Sequence, residues 1–423
     1  MPTDEQIFPR VLGPILLGLV ACTGVFARGL VNGTYAFLVL WGVIYLLTAK
    51  KNWWRPTPPL PKLYCWGLGL YFVTILLTTL TGSDLGQGFY HVANVAYLLA
   101  GLALAWLVLS QWPPVIRYLV PLYALGLIVA GVMTFKQANF GLNCVRAKAS
   151  LGIIELGAVL SQVTPLLVGA AAVAYKLKEK RRLVFFLVAL LVSLVAHVHS
   201  CSRIAILATP VLTIMVLWGL RNCFGAMAKV AIVLTLALAA VIILSNDMIV
   251  SRFQEMTVDK GNYNNDLRLN YWKHGVKVFK EHPLLGVGPR AIPHAPPVIP
   301  PPDLVAAVRL LPPPPKYCHA HQLFLTTLAE SGVVGLLGFL ALHLAPIILL
   351  WPYRRVADLN KLYWVWGAFA VAGQLFLNGL TDYVFTLRPL MYIYWVVTGV
   401  ALWVTRYGGE EVGQAGAAVK NAG

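Results

Sequence analysis

Charged residues are scarce in this sequence. Asp, Glu, Lys and Arg make up 12% of the 423 residues, whereas 59% are hydrophobic. So small a charged fraction does not suit the surface of a soluble globular protein. The composition therefore excludes most soluble folds and predicts an all-α polytopic membrane protein.

Cysteine is also sparse. The six cysteines are scattered, with no CxxC pair and no spacing typical of a metal site. Most are expected to be inert apolar side chains. Cys144 and Cys318 would both face an oxidising compartment, so a disulfide bond between them is a less favoured alternative that the spacing leaves open.

Long apolar runs occupy most of the chain. A run of roughly 17 to 25 residues is long enough to cross a bilayer. The sequence predicts about twelve such spans, at 11–27, 32–49, 64–82, 90–111, 115–135, 149–175, 183–200, 203–220, 229–247, 321–351, 361–381 and 386–405.

Lys and Arg are concentrated in alternate connections between these runs, at 50–55, 176–182, 221–229 and 353–361. Because basic connections tend to stay in the cytoplasm, both termini are predicted to be cytoplasmic. Asp4 and Glu5 precede the first run and no small-residue cleavage site follows it, so we expect a retained helix and no signal peptide. The net charge of +17 is then mostly topological. Anionic lipid headgroups are the expected partners, and no nucleic-acid motif is present.

One long segment, residues 248–320, is predicted to lie outside the cytoplasm. It separates nine predicted spans in 1–247 from three in 321–405, and a tail follows at 406–423. The second half of the segment is rich in proline, which excludes a regular sheet or a long helix. Such a stretch is either a mobile flap over a membrane-surface cavity or a spacer.

The first half of this segment predicts a helix over about 265–281, with Asn265 or Asp266 as N-cap. Pro283 is expected to end it. An apolar stripe is expected to face the membrane interface; it consists of Leu267, Tyr271, Trp272, Val276 and Phe279.

Ionisable residues gather at one predicted membrane face. They are Arg203 at the start of the eighth span, His319 and His321 at the start of the tenth, and Asp382 and Arg388 between the last two. The long segment adds Arg268 and Arg290 at the same face. Such residues are costly near lipid and are therefore functional candidates. The alternative is an arginine that extends to lipid phosphate, which is the favoured interpretation of Arg388.

Three ordered motifs carry a family resemblance. They are "SRIA" (202–205), "RLNYWKHGVKVFKEHPLLGVG" (268–288), and "HQLFL" (321–325) followed by "AESGVVGL" (329–336). They resemble the O-antigen ligase and polymerase superfamily of bacterial membrane glycosyltransferases. The resemblance implies a GT-C-type fold, one large periplasmic loop and metal-independent, inverting transfer without a cofactor. The motifs discriminate poorly among members of the superfamily.

The chemistry of glycan transfer assigns roles to these residues. Transfer from a polyprenyl diphosphate needs a base near the acceptor hydroxyl and positive charge near the departing diphosphate. His321 is the predicted general base, because histidine exchanges protons near neutral pH. Arg203 and Arg268 are predicted to bind the diphosphate with paired hydrogen bonds. No carboxylate cluster near the outer face suits Mg²⁺, so the arginines would take its place.

Further candidates have weaker claims to the site; they are Arg290, His319, Gln322, Tyr317, Asp382 and Arg388. Gln322 or a backbone carbonyl is expected to orient the ring of His321. Two positions along a helix turn a side chain by about 200°, so only one of His319 and His321 is expected to face the cavity. Glu330 is expected to serve helix packing.

The predicted function is that of an O-antigen ligase. Glycan would pass from undecaprenyl diphosphate to lipid A–core at the periplasmic face of the bacterial inner membrane. An O-antigen polymerase would use the same donor with a glycan acceptor. A protein O-oligosaccharyltransferase is less favoured, since only residues 406–423 follow the last predicted span. A lipid-linked glycan transporter would predict internal repeats and helices broken at the midplane, whereas the charges here cluster at one face.

Overall fold

The computed structural model describes residues 4–48, 57–141, 146–224, 263–293 and 318–408. These residues form twelve α-helices: α1 (Asp4–Thr23), α2 (Arg28–Thr48), α3 (Lys62–Leu80), α4 (Leu85–Gln111), α5 (Ile116–Gln137), α6 (Ile153–Lys176), α7 (Lys180–Ser200), α8 (Arg203–Phe224), α9 (Tyr263–Glu281), α10 (Leu323–Leu350), α11 (Leu359–Gly379) and α12 (Arg388–Tyr407). The described part contains no β-strand, only an isolated bridge between Ala27 and Ser150. The predicted span at 229–247, the proline-rich stretch at 294–317 with Tyr317, and Cys144 lie outside the described residues.

Eight of the described helices, α2 to α8 and α10, are long and apolar enough to cross a membrane. Helix α1 adds a shorter apolar stretch, Val11–Thr23. Large apolar side chains point outward from the bundle; Leu46, Leu47 and Trp66 are 73%, 81% and 76% exposed. Such exposure is unfavourable in water and favourable in lipid. The prediction of an all-α polytopic membrane protein is confirmed, while the count of about twelve spans stays a prediction.

Helix α12 lies at the centre of the bundle. Every residue from Pro389 to Thr405 is buried, and the helix packs against α4, α6 and α11. Tyr392 donates a hydrogen bond to Asn32 Oδ1 at 3.3 Å, and its ring stacks on Tyr35 with centroids 4.0 Å apart. Aromatic stacking and a paired phenol suit a core that has no water to hydrogen-bond.

The helix ends on one side of the bundle contact one another through polar groups. Arg28 Nε donates to Glu155 Oε2 at 2.8 Å, which joins α2 to α6. The backbone N–H of Ala147 donates to His199 O at 2.8 Å, and that of Ser83 to Val287 O at 2.9 Å. We call this side the site face. It comprises residues 24–28, 80–85, 137–141, 146–152, 200–203, 282–293, 318–322 and 380–388.

Helix α10 is broken at Gly332, where φ is +63° and ψ is −166°. The break leaves backbone groups without helical partners, and the loop after α9 supplies them. Val287 N donates to Ala329 O at 3.1 Å, and Gly288 N to Glu330 O at 2.8 Å.

On the other side of the break, Val333 N donates to Pro283 O at 2.9 Å, and Val334 N to Leu284 O at 3.2 Å. The loop at 283–288 and the break in α10 therefore form one interlocked joint. The two glycine-rich motifs of the sequence meet in this joint, and Glu330, 3% exposed, is buried there.

Gly286→Ala should destabilise this joint. Gly286 has φ of +66°, and an added Cβ would lie 2.3 Å from the carbonyl carbon of Glu330. The loop would have to move away, and each backbone group left unpaired costs about 1–3 kcal/mol. We expect a lower melting temperature for the purified variant. Gly69→Ala is the matched control, because its Cβ would meet no atom within 4 Å. Equal stability of the two variants would contradict the interlock.

Helix α9 begins at Tyr263, earlier than the sequence predicts, so Asn265 and Asp266 lie inside its first turn and are not N-caps. Its buried side is centred on Gly275 and Val278, while Val276 is 40% exposed. The helix packs against α10. The predicted apolar stripe is therefore not the buried side, because contact with α10 requires the small residue Gly275 at the crossing.

Candidate functional site

Residues 319–321 form a bent segment that leads into α10. The backbone N–H of Ala320 donates to Thr326 Oγ1 at 3.1 Å. Gln322 caps α10, since its side-chain oxygen accepts the backbone N–H of Leu325. His321 has φ of +49°, a backbone conformation that non-glycine residues rarely adopt. These bonds hold the side chain of His321 out of the helix, at the site face.

His321 is surrounded by polar and aromatic groups from three segments. Its Nδ1 lies 3.7 Å from Asp382 Oδ1, and 37% of its side chain is exposed. The ring centroid of Tyr271, on α9, is 5.1 Å away. The ring centroid of His319 is 4.1 Å away. One side of the imidazole thus faces a carboxylate while part of the ring remains accessible.

His319 shares this space with His321, which corrects the sequence argument. Both histidines precede α10, so the turn of about 200° per two helical residues does not apply to them. The backbone N–H of His321 donates to His319 Nδ1 at 3.2 Å. Burial of His319, together with the charges of His321 and Arg290, lowers its pKa to about 4 although Asp382 opposes the shift. His319 is therefore a neutral neighbour of His321 at neutral pH.

Asp382 lies between α11 and the 3₁₀ turn Val384–Thr386. Its backbone N–H donates to Asn378 O at 2.9 Å, and its Oδ1 accepts the N–H of Tyr383 at 2.7 Å. Burial raises its pKa. The polar interaction with the His321 ring, the hydrogen bond from the Tyr383 N–H and the charges of His321 and His319 lower the pKa by more than burial raises it. The pKa of Asp382 consequently lies below its ordinary value, and the group is a carboxylate at neutral pH.

Arg268 approaches the site along α9. It is exposed and lies one turn before Tyr271, whose ring contacts His321. Residues three apart share a helix face, so Arg268 and Tyr271 lie on the same side of α9. Gly275 continues that side and packs against Ala320 and Leu325.

Arg290 lies on the loop that joins the break in α10. Its guanidinium is 4.8 Å from the ring centroid of Tyr90. Its charge acts on the buried carboxyl of Glu330 and on His319. This residue, a weaker candidate from the sequence, therefore belongs to the surroundings of the histidines.

Arg203 and Arg388 lie at the same face in different surroundings. Arg203 is the first residue of α8, which packs against α11, the helix that leads to Asp382. Arg388 donates to Asn94 Oδ1 at 3.1 Å and lies over the ring of Tyr97 at 5.6 Å. Arg388 is thus engaged by α4, which explains its position without a role at His321 and replaces the interpretation that it extends to lipid.

Two further expectations need correction. The Gln322 oxygen caps α10, and it is Asp382 that lies beside the His321 ring, where Gln322 or a backbone carbonyl was predicted. Cys318 keeps its thiol, which donates to Pro293 O at 3.2 Å. The disulfide considered between Cys318 and Cys144 is therefore absent, whereas Cys201 is disulfide-bonded.

Tyr271 and Tyr383 were not identified from the sequence as site residues. The ring centroid of Tyr383 lies 5.6 Å from that of His319. Burial raises the pKa of Tyr383 well above its ordinary value, so its hydroxyl stays protonated. The signals were available: Tyr271 follows Arg268 by one helical turn, and Tyr383 follows Asp382 directly.

The site combines an imidazole next to a carboxylate, exposed guanidinium groups and half-buried aromatic rings at one end of a helical bundle. His319, His321 and Asp382 also form a group that could hold a metal ion, since their ligand atoms lie within 4.8 Å of one another. The fold and this face define a polytopic membrane protein with a polar, basic site at one membrane surface.

Comparison with known families agrees with this architecture. The sequence model of the O-antigen ligase family matches residues 188–340, which include Arg203, Arg268, Arg290 and both site histidines. The match covers less than half of the 423 residues and supports a member of the O-antigen ligase superfamily. At a coarse level it supports an enzyme of the ligase or polymerase type that handles a lipid-linked glycan. No curated protein matches the sequence.

Proposed function

We propose that this protein is an O-antigen ligase. It transfers glycan from undecaprenyl diphosphate to a sugar hydroxyl of lipid A–core at the periplasmic face of the bacterial inner membrane. The observation that carries the proposal is the pairing of His321 with Asp382 at the site face, within reach of α9 and its Arg268. The fold we propose for the membrane part is of the GT-C type, with residues 248–320 in the periplasm.

The chemistry follows from the tautomer of His321. Asp382 lies on the Nδ1 side of the ring, and a carboxylate there favours the proton on Nδ1. Nε2 then carries the lone pair and accepts the proton of the acceptor hydroxyl. Asp382 stabilises the imidazolium that forms, as a charge 3.7 Å away.

The bond changes balance without a cofactor. The acceptor oxygen forms a bond to the anomeric carbon as the bond from that carbon to the diphosphate oxygen breaks, which inverts the anomeric centre. The diphosphate leaves with the electron pair, and Arg268 and Arg203 bind its oxygens through charge-assisted hydrogen bonds. His321 afterwards releases its proton to the diphosphate or to water. The reaction as proposed is metal-independent.

Lipopolysaccharide profiling of a deletion strain tests this function. A ligase predicts loss of all polymer-bearing bands while lipid-linked polymer accumulates. Bands that carry a single repeat would instead identify a polymerase and contradict the proposal. Complementation by the wild-type gene, and its failure with the His321→Ala gene, would tie the phenotype to this site.

Thiol labelling tests the orientation. We expect Lys280→Cys, in the last turn of α9 and next to the site face, to react with a membrane-impermeant maleimide in intact spheroplasts. Lys178→Cys, between α6 and α7 at the opposite face, should react only after permeabilisation. Both positions are exposed, and both variants need a background in which the exposed Cys65 is replaced. The reverse pattern would put the site in the cytoplasm and contradict the proposal.

Asp382→Asn should lower the rate of transfer by about 10–10³-fold. This loss is smaller than the loss expected for the aspartate of a Ser-His-Asp triad, which is hydrogen-bonded to its histidine, because the ion pair between Asp382 and His321 is longer. The variant loses the charge that stabilises imidazolium, so kcat should fall while KM for the donor changes little. Asp358→Asn removes the same charge at the opposite face, where Asp358 Oδ1 accepts the N–H of Lys361 at 3.0 Å. Asparagine caps helices equally well, so this control should be active. Full activity of Asp382→Asn would remove the carboxylate from the mechanism.

A further inference from the structure

The group formed by His319, His321 and Asp382 has a geometry that suits a metal ion better than a hydrogen bond. The 3.7 Å between His321 Nδ1 and Asp382 Oδ1 exceeds ordinary hydrogen-bond lengths. Two ligands bound to a tetrahedral zinc ion at ~2.0–2.2 Å lie about 3.4 Å apart. All three ligand atoms already lie within 4.8 Å of one another, so small side-chain rotations bring them to bonding distance.

We propose that His319, His321 and Asp382 bind a divalent transition-metal ion of the zinc type, and that the bound ion blocks the general base. The part concerning the base rests on the proposed function, whereas the binding itself does not. Nothing in the family resemblance suggests such a site, because the transfer it implies is metal-independent.

The ligand set selects the class of ion. Two imidazoles and one carboxylate suit Zn²⁺ and related transition metals, whereas Mg²⁺ and Ca²⁺ prefer oxygen ligands. Asp382 is held in place because its Oδ1 accepts the N–H of Tyr383 at 2.7 Å, which is the kind of support that orients metal ligands. His321 is half-exposed, so an ion can enter from the site face. Three protein ligands leave a fourth position for water.

The surroundings moderate the affinity. The charge of Arg290 acts on His319 and repels a cation. Ligation by His319 Nδ1 would also replace its 3.2 Å hydrogen bond from the N–H of His321. The site is therefore expected to load when the metal is supplied and to release it to a chelator.

Metal binding at Nδ1 would disable His321 through its tautomer. A neutral imidazole carries one proton, and a nitrogen that binds a metal cannot carry it. With the metal on Nδ1, the proton moves to Nε2, and the number of protons on the ring does not change. Nε2 then has no lone pair to accept the proton of the acceptor hydroxyl. An ion at this group therefore competes with catalysis and does not assist it.

The binding experiment uses purified full-length protein in detergent, without a polyhistidine tag, titrated with Zn²⁺ against a chromophoric chelator. Wild type should bind one Zn²⁺ at this site, and Co²⁺ should give the visible absorption of a tetrahedral complex. His319→Ala should bind Zn²⁺ at least about tenfold more weakly. Even the loss of a residue that only hydrogen-bonds a metal ligand lowers metal affinity by that factor. His282→Ala, which removes an exposed histidine at the same face, is the matched control and should bind like wild type.

Each outcome decides the proposal. Zn²⁺ affinity that is absent in wild type, or unchanged in His319→Ala, would overturn the site. In the transfer assay Zn²⁺ should inhibit wild type, a chelator should restore it, and His319→Ala should resist inhibition. Stimulation by Zn²⁺ would overturn the blocking role. Absence of transfer in metal-free wild type would count against the proposed function, while the binding titration would still decide the metal site.

Discussion

His321→Ala should transfer glycan about 10²–10⁴-fold more slowly than wild type while still binding the lipid-linked donor, because only the proton acceptor is lost. The diphosphate would still meet Arg268 and Arg203. The measurement is a single-turnover assay with purified variants, lipid-linked donor and core acceptor, combined with a donor-binding titration. Loss of binding together with rate would indicate a structural role instead.

His319→Ala is the control for this variant. The two rings lie 4.1 Å apart, so both substitutions open space at the same place. His319 is half-buried and neutral, whereas His321 Nδ1 lies 3.7 Å from the carboxylate of Asp382. We expect His319→Ala to retain most activity. An inactive His319→Ala with an active His321→Ala would reverse the assignment.

Arg268→Ala should lower transfer by about 10²–10³-fold, the usual effect of removing one group that stabilises developing charge. Arg268→Lys keeps the charge but loses the planar fork that binds two phosphate oxygens, so it should recover only part of the rate. Both variants should fold, because the side chain is exposed.

Lys273→Ala is the matched control for Arg268. It removes an exposed positive charge from the other side of α9. A loss that Lys273→Ala shares would indicate a general effect of charge on the membrane surface. Arg268→Ala with wild-type activity would remove the residue from the site.

The sequence predicted the helical membrane class because long apolar runs depend on local composition alone. It also predicted that one face carries His319, His321, Arg290 and Asp382. The distribution of Lys and Arg among the connections sets the orientation of each span, and therefore which span ends lie on the same side of the membrane. The contact between His321 and Asp382 was beyond its reach. The two residues come from different helix ends, and only tertiary packing sets their separation.

Local errors have local causes. The periodicity argument for His319 and His321 failed because Gln322 caps α10 and starts the helix at Leu323. The stripe predicted for α9 followed hydrophobicity, whereas packing against α10 selected Gly275, the residue that permits close approach. Glycine motifs were visible at 286–288 and 332–335. Their spacing does not reveal that the second motif breaks α10 or that the loop of the first motif hydrogen-bonds to that break.

The interlocked joint links these motifs to the site. Loop 283–288 binds the break in α10 and continues into Arg290, while the first segment of α10 begins at Leu323, two residues after His321. Displacement of the loop would therefore move an arginine and the histidines together. This arrangement explains how residues far apart in the sequence are held at one face of the bundle.

The most direct test of the account is a reconstituted transfer reaction. Purified wild-type protein would be given an undecaprenyl-diphosphate-linked glycan and lipid A–core, with EDTA present. We expect wild type to form glycan-bearing lipid A–core and free undecaprenyl diphosphate, and His321→Ala to form neither. Glycan lengthened on undecaprenyl diphosphate, with lipid A–core unchanged, would contradict it.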